Sequence, residues 1–327
     1  MATTEQAPDL ERRVLHLPAR DIPIPTSVSP EAQAAMAMPP MPSPAQPAPK
    51  DRDDWRAMVA AQDEAIAQML GGRVADARVV MTELDVGAHV YEIVPADLPD
   101  GDRRVYLDGH GGAFVFGAGE CCRVMSVGTA TRYGARVWSV DYRMPPDHPF
   151  PAGLDDCLAA YRALLADHDP AEIIVGGASA GGNLAAALVL RARDEGLPMP
   201  AAVVLMTPAV DLTASGDSLL TNLGLDPLLP GGSTPTFGMY AGGAELTDPY
   251  VSPLYGDFAP GFPPTILTTR DRLLSDTVRM HRALRNAGVP ADLHVTEAAG
   301  HGGFLGMAPE DEEVERELRL VAESHWP

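Results

Sequence analysis

A serine flanked by glycines stands between an apolar segment and a segment rich in alanine and leucine. The motif reads G-A-S-A-G at 177–181, preceded by I-I-V at 173–175 and followed by L-A-A-A-L at 184–188. This order is typical of a serine on a sharp strand-to-helix turn, where the positions two before and two after it must carry almost no side chain. Such a turn exposes the hydroxyl and aims the partly positive helix N-terminus at a developing oxyanion. The sequence therefore predicts that Ser179 is a nucleophile.

A serine nucleophile needs a base and an acid that orients the base, and candidates for both lie further along the chain. Residues 264–269 and 291–296 have strand composition; Asp271 follows the first segment and His301 follows the second. The carboxyl ends of parallel strands meet at one edge of a sheet, where α/β proteins place their ligands. In the chain order serine, acid, histidine, we predict a triad of Ser179, Asp271 and His301.

Other residues of the same types fit these roles less well. Asp276 would begin the helix predicted at 276–287 and suits a helix cap. Asp248 precedes a proline in an irregular stretch, where aspartate commonly starts a turn. Among the nine histidines, His301 has the required position after a late strand, whereas His110 begins the glycine-rich loop considered next.

A second glycine-rich segment could supply hydrogen-bond donors for an oxyanion. Residues 108–114 read D-G-H-G-G-A-F and follow a short apolar strand. A loop with so little side chain lets backbone N–H groups approach a developing negative charge. Each donor of this kind lowers the barrier by about 3–4 kcal/mol. We predict donors at the amides of Gly112, Ala113 and Ala180, with Gly111 providing the tight turn.

Together these motifs resemble the hormone-sensitive-lipase-like esterases, also called bacterial family IV, which carry an N-terminal cap on an α/β-hydrolase core. The resemblance runs from about residue 106 to the C-terminus. It rests on H-G-G at 110–112, D-Y-R-M-P-P-D-H-P-F-P at 141–151, G-x-S-x-G at 177–181, D-x-L at 271–273 and H-G-G-F at 301–304. It implies that Ser179, His301 and Asp271 act as nucleophile, base and acid. It also implies that the Asp-Tyr-Arg segment braces the oxyanion loop without doing chemistry.

Two positions depart from the pattern of that family. A third glycine is usual where Ala113 stands; alanine keeps the N–H group but adds a methyl group that could narrow the acyl site. Aspartate or threonine is usual where Ala178 stands, so one side-chain hydrogen bond near the turn is missing. Both departures concern the shape of the site and leave the expected reaction unchanged.

The composition of the whole chain excludes several other classes. Its 24 basic and 45 acidic residues give a net charge of −21, which disfavours nucleic acid and anionic membrane as partners. Lys50 is the single lysine, and Gly182 stands three residues after the serine, so Ser-x-x-Lys chemistry is excluded. The three cysteines give neither a disulfide framework nor a zinc pattern. We therefore expect no cofactor and no metal.

Signals for export or membrane insertion are not found in the sequence. Residues 1–13 are polar and lack the apolar core of a signal peptide. No stretch reaches the ~18 apolar residues of a membrane span. Cys157 falls on the apolar side of a predicted helix and is expected to be buried. We expect a cytoplasmic protein without membrane insertion.

Strand and helix patterns alternate from residue 77 onwards. Predicted strands are 77–84, 89–95, 103–107, 135–140, 172–175, 202–206, 264–269 and 291–296, and predicted helices are 154–165, 179–193, 276–287 and 310–324. This alternation predicts an α/β fold with a mostly parallel, eight-stranded sheet and helices on both faces. With the resemblance, the expected architecture is an α/β-hydrolase fold with an N-terminal helical cap.

Residues 1–75 differ from the rest and are predicted to form that cap. Proline-dense stretches at 22–25 and 38–44 cannot be regular helix or central strand. Between them, Ser29 would cap a short helix that has proline at its first position. A second helix is predicted at 53–69, and the first dozen residues are expected to be disordered.

Residues 76–327 are predicted to form the catalytic domain. Within it, the stretch 212–254 is too long and too rich in Gly, Pro, Ser and Thr for an ordinary connection, so it is expected to complete the cap. Flexible and apolar residues of these segments suit a hydrophobic substrate. The predicted pocket residues are Met36, Met38, Met41, Phe114 and Leu225.

The function expected from these residues is that of a serine carboxylesterase for short- to medium-chain acyl esters, which works through an acyl-enzyme. A lactone hydrolase acting on an apolar cyclic ester would use the same triad. An acyltransferase would differ only in excluding water, and a ligand-binding homologue of a hydrolase would be expected to lose His301. The small-molecule substrate is therefore an ester or a lactone, and the edge strand at 291–296 could pair two subunits in a homodimer.

Overall fold

The computed structural model describes residues 19, 21–39, 49–71, 76–229, 234–269 and 273–327. The strands are β1 (Ala77–Glu83), β2 (His89–Pro95), β3 (Val105–Gly109), β4 (Arg136–Asp141), β5 (Ile173–Ala178), β6 (Ala202–Met206), β7 (Thr265–Thr269) and β8 (Ala291–Val295). The helices are α1 (Pro30–Met36), α2 (Arg52–Gly71), α3 (Glu120–Tyr133), α4 (Ala152–Asp167), α5 (Ala180–Asp194), α6 (Ser218–Thr221), α7 (Thr234–Ala241), α8 (Leu274–Asn286) and α9 (Pro309–His325).

All eight strands form one sheet, in the order β1-β2-β4-β3-β5-β6-β7-β8. β1 and β2 are antiparallel to their neighbours. The other six strands, β4, β3, β5, β6, β7 and β8 in the order of the sheet, pair in parallel. The predicted eight-stranded, mostly parallel sheet is therefore confirmed. The carboxyl ends of β3, β5, β7 and β8 lie at one edge, so the loops that follow these strands meet there.

Helices cover both faces of the sheet, as predicted. Side chains of α4, α5 and α8 pack in one apolar cluster, whereas those of α3 and α9 pack in another. Alternate residues of β3 divide between the two clusters: Val105 and Leu107 belong to the first, and Tyr106 belongs to the second. This division follows from the two-residue period of a strand, and it fixes the sheet between two apolar layers.

The helix α3 was not predicted from the sequence. Its residues E-C-C-R-V-M-S-V-G-T-A-T-R-Y include many poor helix formers. It is also buried on several sides, so its apolar residues show no clear helical period. The helix ends at Gly134, which adopts the left-handed conformation (φ 54°) that glycine favours. Two further helices, α6 and α7, lie within the stretch 212–254, which was expected to be irregular.

The first described residues pack against the end of the chain. Ser29 caps α1 as predicted, because its Oγ accepts a hydrogen bond from Ala32 N at 3.1 Å. Its amide and hydroxyl donate to the carboxylate of Glu310 at 2.7 and 2.8 Å. Ala32 also packs in a small apolar cluster with Phe304. These contacts hold α1 against the segment that follows β8.

The boundary of the predicted cap stays a prediction. The helix α2 occupies nearly the predicted range, and the first dozen residues lie outside the described part of the chain. Cys157 is buried as expected, with 3 % of its surface exposed. None of the helices in the described ranges has the length and apolar character needed to cross a membrane.

Candidate active site

Ser179 lies on the sharp turn between β5 and α5. Its backbone adopts φ 58° and ψ −117°, a conformation that residues with side chains rarely adopt. Two backbone hydrogen bonds hold the turn against the end of β6 and the loop after it: Ser179 N donates to Met206 O at 2.9 Å, and Ser179 O accepts from Ala209 N at 3.1 Å. The predicted strand-turn-helix arrangement around the serine is confirmed, and the side chain is only half-buried.

The two glycines that flank the serine are required by close backbone packing. A Cβ atom on Gly181 would overlap the carbonyl oxygen of Gly109 at the end of β3. A Cβ atom on Gly177 would overlap the same oxygen. The serine turn therefore packs directly on the start of the loop that follows β3, and this contact sets the distance between the two segments.

The loop after β3 lies beside the serine. A Cβ atom built on Gly111 would be 3.7 Å from Ser179 Cβ. Three successive residues, Gly112, Ala113 and Phe114, have positive φ values of 125°, 53° and 65°. Gly112 O accepts hydrogen bonds from residues 115 and 116 at 3.0 and 2.8 Å, which closes the turn. Alanine at 113 therefore adopts a backbone conformation that is more usual for glycine.

Three amides next to the serine make no hydrogen bond to another described residue: those of Gly112, Ala113 and Ala180. Buried or half-buried N–H groups without a partner are rare in folded proteins. Ala180 is also the first residue of α5, where the helix leaves its amides free and carries partial positive charge. These three amides are the candidates for binding an anionic oxygen beside Ser179.

The segment after β4 supports this loop, as the family resemblance implied. Tyr142 Oη donates to His110 O at 2.9 Å, and the two rings stack with centroids 4.1 Å apart. Asp141 Oδ1 accepts from Gly119 N at 3.0 Å. Arg143 is held in turn by the buried carboxylate of Asp156, with its Nη2 2.6 Å from Oδ1. The segment therefore holds both ends of the loop 110–119.

One cluster near this loop has the residue types of a metal site. Potential ligand atoms of His110, Cys122 and Asp141 lie within 4.8 Å of one another. These three residues also make contacts within the protein: His110 Nδ1 lies 2.7 Å from Gly111 O, Cys122 Sγ lies 3.5 Å from Ser139 Oγ, and Asp141 Oδ1 accepts a hydrogen bond from Gly119 N at 3.0 Å. The cluster therefore packs behind the loop.

His301 lies at the carboxyl edge of the sheet, in the loop that follows β8. The loop is narrow: Gly300 and Gly303 form an isolated β-bridge on either side of it. His301 is half-buried, and its amide donates to Asp226 Oδ2 at 2.8 Å. Asp271, the predicted acid, lies outside the described residues. The assembly of the three residues as a triad is therefore a proposal.

Asp226 is a functional candidate that the sequence reasoning missed. Its carboxylate is 3 % exposed and accepts three backbone amides: His301 N at 2.8 Å, Leu228 N at 2.8 Å and Leu229 N at 3.2 Å. It thereby joins the leucine-rich stretch to the histidine loop. The Asp-Pro dipeptide at 226–227 could have indicated a turn, but nothing local indicates a partner 75 residues away.

Asp276 and Asp248, the two other candidates for the acid, make structural contacts. Asp276 is 1 % exposed, and its Oδ2 accepts from Asp211 N at 3.1 Å. Burial raises the pKa of Asp276 to about 7. Asp248 starts a turn as predicted, because its Oδ1 accepts from Tyr250 N at 2.8 Å. Neither contact reaches the loops of Ser179 or His301.

The predicted pocket residues lie in different surroundings. Phe114 is fully buried and stacks on Tyr240 at 4.0 Å, so its side chain packs in the core. Met36 packs against the cluster that contains Phe304, next to the histidine loop. Met38 and Leu225 are 44 % and 48 % exposed. Met41 lies outside the described residues. The pocket assignment stays a prediction.

Comparison with known proteins agrees with this geometry. The sequence profile of the α/β-hydrolase fold matches residues 106–305. An acetyl-hydrolase of Streptomyces hygroscopicus is 35 % identical over 63 % of this chain and 69 % of its own length. Esterase LipI of Mycobacterium tuberculosis is 34 % identical over 72 % of this chain and 77 % of its own length.

Solved structures extend the similarity to nearly the whole chain. One esterase crystal structure has a TM-score of 0.88 and 35 % identity, over 96 % of this chain and 99 % of that one. An esterase of the bacterial hormone-sensitive lipase family has a TM-score of 0.77 and 31 % identity, over 91 % and 99 %. The chain belongs to the α/β-hydrolase fold family. Within it, the chain is a hormone-sensitive-lipase-like hydrolase.

Proposed function

We propose that this protein is a serine carboxylesterase that hydrolyses short- to medium-chain acyl esters. Ser179 is the nucleophile, His301 the general base and Asp271 the acid that orients it. Gly112, Ala113 and Ala180 donate to the oxyanion, and Gly111 provides the turn. The activity class, carboxylic ester hydrolysis, is that of its relatives, which are named esterases, carboxylesterases and acetyl-hydrolases.

One observation carries the assignment: a half-buried serine in a strained turn stands beside three amides without partners. Donors that are already aimed at the position of an anion need no reorganisation during the reaction, which makes them effective in catalysis. A structural serine would not need backbone strain of this kind, which costs of order 1–3 kcal/mol.

The reaction follows in two steps from these roles. His301 takes the Ser179 proton while Oγ bonds to the ester carbonyl carbon, and the carbonyl oxygen becomes an anion held by the amides. The tetrahedral intermediate expels the alcohol, which His301 protonates, leaving an acyl-enzyme. Water then loses a proton to His301 and attacks the acyl carbon, and Ser179 regains its proton as the acid leaves. Asp271 stabilises the histidine cation.

Small acyl groups are favoured by two features. The Ala113 methyl group stands in the oxyanion loop where the family usually has glycine. Two relatives are named acetyl-hydrolases. Among the alternatives, a lactone would be opened by the same residues, whereas the names of the relatives favour neither acyl transfer nor ligand binding without catalysis.

The test combines active-site labelling with a substrate series. A fluorophosphonate probe is incubated with the purified protein, the labelled residue is mapped by mass spectrometry, and p-nitrophenyl esters of increasing chain length are assayed. We expect labelling at Ser179 and fastest turnover on the shorter esters. Labelling without ester turnover would direct the search to lactones or acyl transfer. Absence of labelling would refute the triad.

A homodimer and a cytoplasmic location are proposed as well. The dimer is supported by β8, the last strand of the sheet, whose outer edge pairs with no other strand of the described residues and whose Val295 is 52 % exposed. Light scattering should give the mass of a dimer, and Val295→Lys should lower it to the mass of a monomer.

The cytoplasmic location is supported by Cys121, Cys122 and Cys157, which are buried free thiols. Cell fractionation against a marker for each compartment tests this location.

A further inference from the structure

The cap helix α2 makes polar contacts with two segments near the site. None of its described side chains is buried. Arg56 pairs with Asp147 through two nitrogens, at 3.1 and 2.6 Å. About two turns further along the helix, the carboxylate of Asp63 accepts hydrogen bonds from Gly117 N at 2.6 Å and Ala118 N at 3.2 Å. Both contacts join α2 to segments that shape the site.

The first of these segments is the far end of the oxyanion loop. Gly117 packs directly behind the donors: a Cβ atom on it would lie 2.6 Å from His110 Nδ1 and 2.8 Å from Gly111 O. His110 Nδ1 itself lies 2.7 Å from Gly111 O. Gly117 therefore packs closely against Gly111, which precedes the proposed oxyanion donor Gly112. The carboxylate of Asp63 thus fixes the position of the loop from behind.

The second segment is the support after β4. Asp147 belongs to the stretch 141–151, in which Tyr142 holds His110 and Asp141 holds Gly119. Asp63 and Asp141 together accept the amides of three successive residues, 117–119. Because α2 contacts both the loop and its support, its position on the protein is linked to the shape of the oxyanion site.

The packing under α2 makes this polar contact important. A groove of about 400 Å³ runs between α2 and the start of α3; it is lined by Asp63, Glu64, Ala67, Gln68, Ala118, Glu120 and Cys121. Close packing therefore does not fill the space beside Asp63. Burial raises the pKa of the Asp63 carboxyl, while its hydrogen bonds to the two amides act in the opposite direction. The two amides take the place of water molecules that would otherwise hydrogen-bond to this half-buried carboxylate. They therefore hold the Asp63 side chain in one position.

We propose that Asp63 is a positioning residue through which closure of the cap helix sets the oxyanion loop for catalysis. When α2 lies on the protein, Gly112 and Ala113 are held with their amides toward the substrate; when it lifts, Gly117 is released and the donors lose their alignment. The inference rests on the proposed roles of Gly112 and Ala113 as donors. It predicts that the cap affects the transition state more than the binding of the ester.

The test compares Asp63→Asn and Asp63→Ala with Glu64→Gln. Glu64 is the exposed neighbour on α2 and contacts Gln68 of the same helix, so its variant controls for charge and helix content. For Asp63→Ala we expect kcat to fall about 10- to 100-fold, the range for misplaced oxyanion donors, with KM changed less than threefold. Asp63→Asn keeps one acceptor oxygen, so its kcat should lie between those of the parent and Asp63→Ala. Glu64→Gln should match the parent.

A transition-state analogue separates positioning from mere stability. A trifluoromethyl ketone adds the serine oxygen and forms an oxyanion, so its inhibition constant should rise by the same factor as kcat/KM falls across the variants. If Asp63 only stabilises the fold, its variants should have a lower melting temperature but an unchanged inhibition constant and an unchanged kcat/KM at 25 °C. If Asp63→Ala does not fold, Arg56→Gln loosens the other contact of α2 and should lower kcat in the same way, by a smaller factor.

The outcomes distinguish this inference from the proposed function. Fluorophosphonate labelling of Ser179 in the parent protein establishes the nucleophile independently of Asp63. With that labelling present, an unchanged kcat in both Asp63 variants overturns the inference alone. A rise in KM without loss of affinity for the ketone also overturns it, because the cap would then act on ester binding. Absence of labelling in the parent overturns the proposed function itself.

Discussion

The two halves of the site are held by different kinds of contact. The half that carries Ser179 is built of backbone packed on backbone: Gly181 lies against Gly109, and the serine turn is bonded to the loop after β6. The half that carries His301 depends on side chains in addition to the bridge between Gly300 and Gly303. Asp226 binds the amide of His301, and the space beside Gly302 is filled by the leucine side chain of residue 228.

This difference matches what each half must do. In the proposed mechanism, the hydroxyl attacks the carbonyl carbon while the amides bind the carbonyl oxygen, and a displacement of about 1 Å can cost 100-fold in rate. Backbone contacts between the central strands β3 and β5 provide that accuracy. In the same mechanism, the histidine exchanges protons with the serine, the leaving alcohol and water in turn. It lies on a loop after the edge strand β8, where the carboxylates of Asp226 and Asp311 accept backbone amides.

The largest effect is expected from the serine itself. Ser179→Ala removes the proposed nucleophile without adding atoms to the turn, so kcat/KM should fall at least about 10⁴-fold while the protein stays folded. The measurement is steady-state hydrolysis of a short p-nitrophenyl ester, with circular dichroism as the check of folding. Activity within tenfold of the parent would place the nucleophile elsewhere.

A matched pair of glycine substitutions tests the contrast between the halves. Gly181→Ala places a methyl group on the backbone oxygen of Gly109, which cannot move without distorting β3, so loss of folded, active protein is expected. Gly302→Ala places a methyl group 2.6 Å from Leu228 Cδ1, which is the end of a flexible side chain, and Gly302 itself is exposed. The activity of the Gly302→Ala variant should therefore stay within about fivefold of the parent.

Yield, melting temperature and kcat are measured for both glycine variants. Tolerance of Gly181→Ala would mean that the serine turn is not set by its contact with β3. A loss in Gly302→Ala as large as in Gly181→Ala would mean that the histidine loop is as rigid as the serine turn, and the contrast between the halves would be withdrawn.

The same contrast explains what could be predicted from the sequence. Close backbone packing demands glycine, so the serine turn and the loop 110–114 leave a local pattern. The cap of α1 by Ser29 is local too, and it is confirmed. Contacts from Asp63 and Asp226 reach amides 54 and 75 residues away, and an aspartate at either position looks like an ordinary polar residue. The helix α3 was missed because burial on several sides removes its period.

A smaller effect is expected from the carboxylate behind the histidine. Asp226→Asn keeps the side-chain shape but loses the charge that binds three amides. Charge-assisted hydrogen bonds are about twice as strong as neutral ones, so kcat should fall about 10-fold through a loosened His301. Asp257→Asn is the control, since Asp257 is exposed and makes a similar turn with Ala259 N at 3.0 Å.

Labelling provides the second measurement for this variant. The rate at which a fluorophosphonate labels Ser179 depends on the base, so it should fall in parallel with kcat in Asp226→Asn and stay unchanged in Asp257→Asn. Equal kinetics in the two variants would show that the amide of His301 is positioned without Asp226. The histidine half would then owe its geometry to the strand β8 alone.

The smallest effect on activity is expected at Asp276, the buried aspartate in the first turn of α8. Burial raises its pKa to about 7, above the usual carboxyl value of 3.8. Between pH 4 and 7 the folded protein therefore holds a proton that the unfolded chain gives up, so this group lowers the free energy of unfolding as pH rises. A difference of three units corresponds to about 4 kcal/mol. Asp276→Asn cannot ionise, so its stability relative to the parent should increase across this range.

Urea unfolding of the parent and Asp276→Asn at pH 5 and pH 8 measures this difference. We expect the variant to gain stability relative to the parent at pH 8 and to hydrolyse esters within about threefold of it, because Asp276 binds the amide of Asp211 and not the histidine. An activity loss of several orders of magnitude would make Asp276 the triad acid in place of Asp271. A stability difference that is the same at both pH values would show that the buried carboxyl is ionised at pH 5, and its burial would then be compensated by the nearby Arg279.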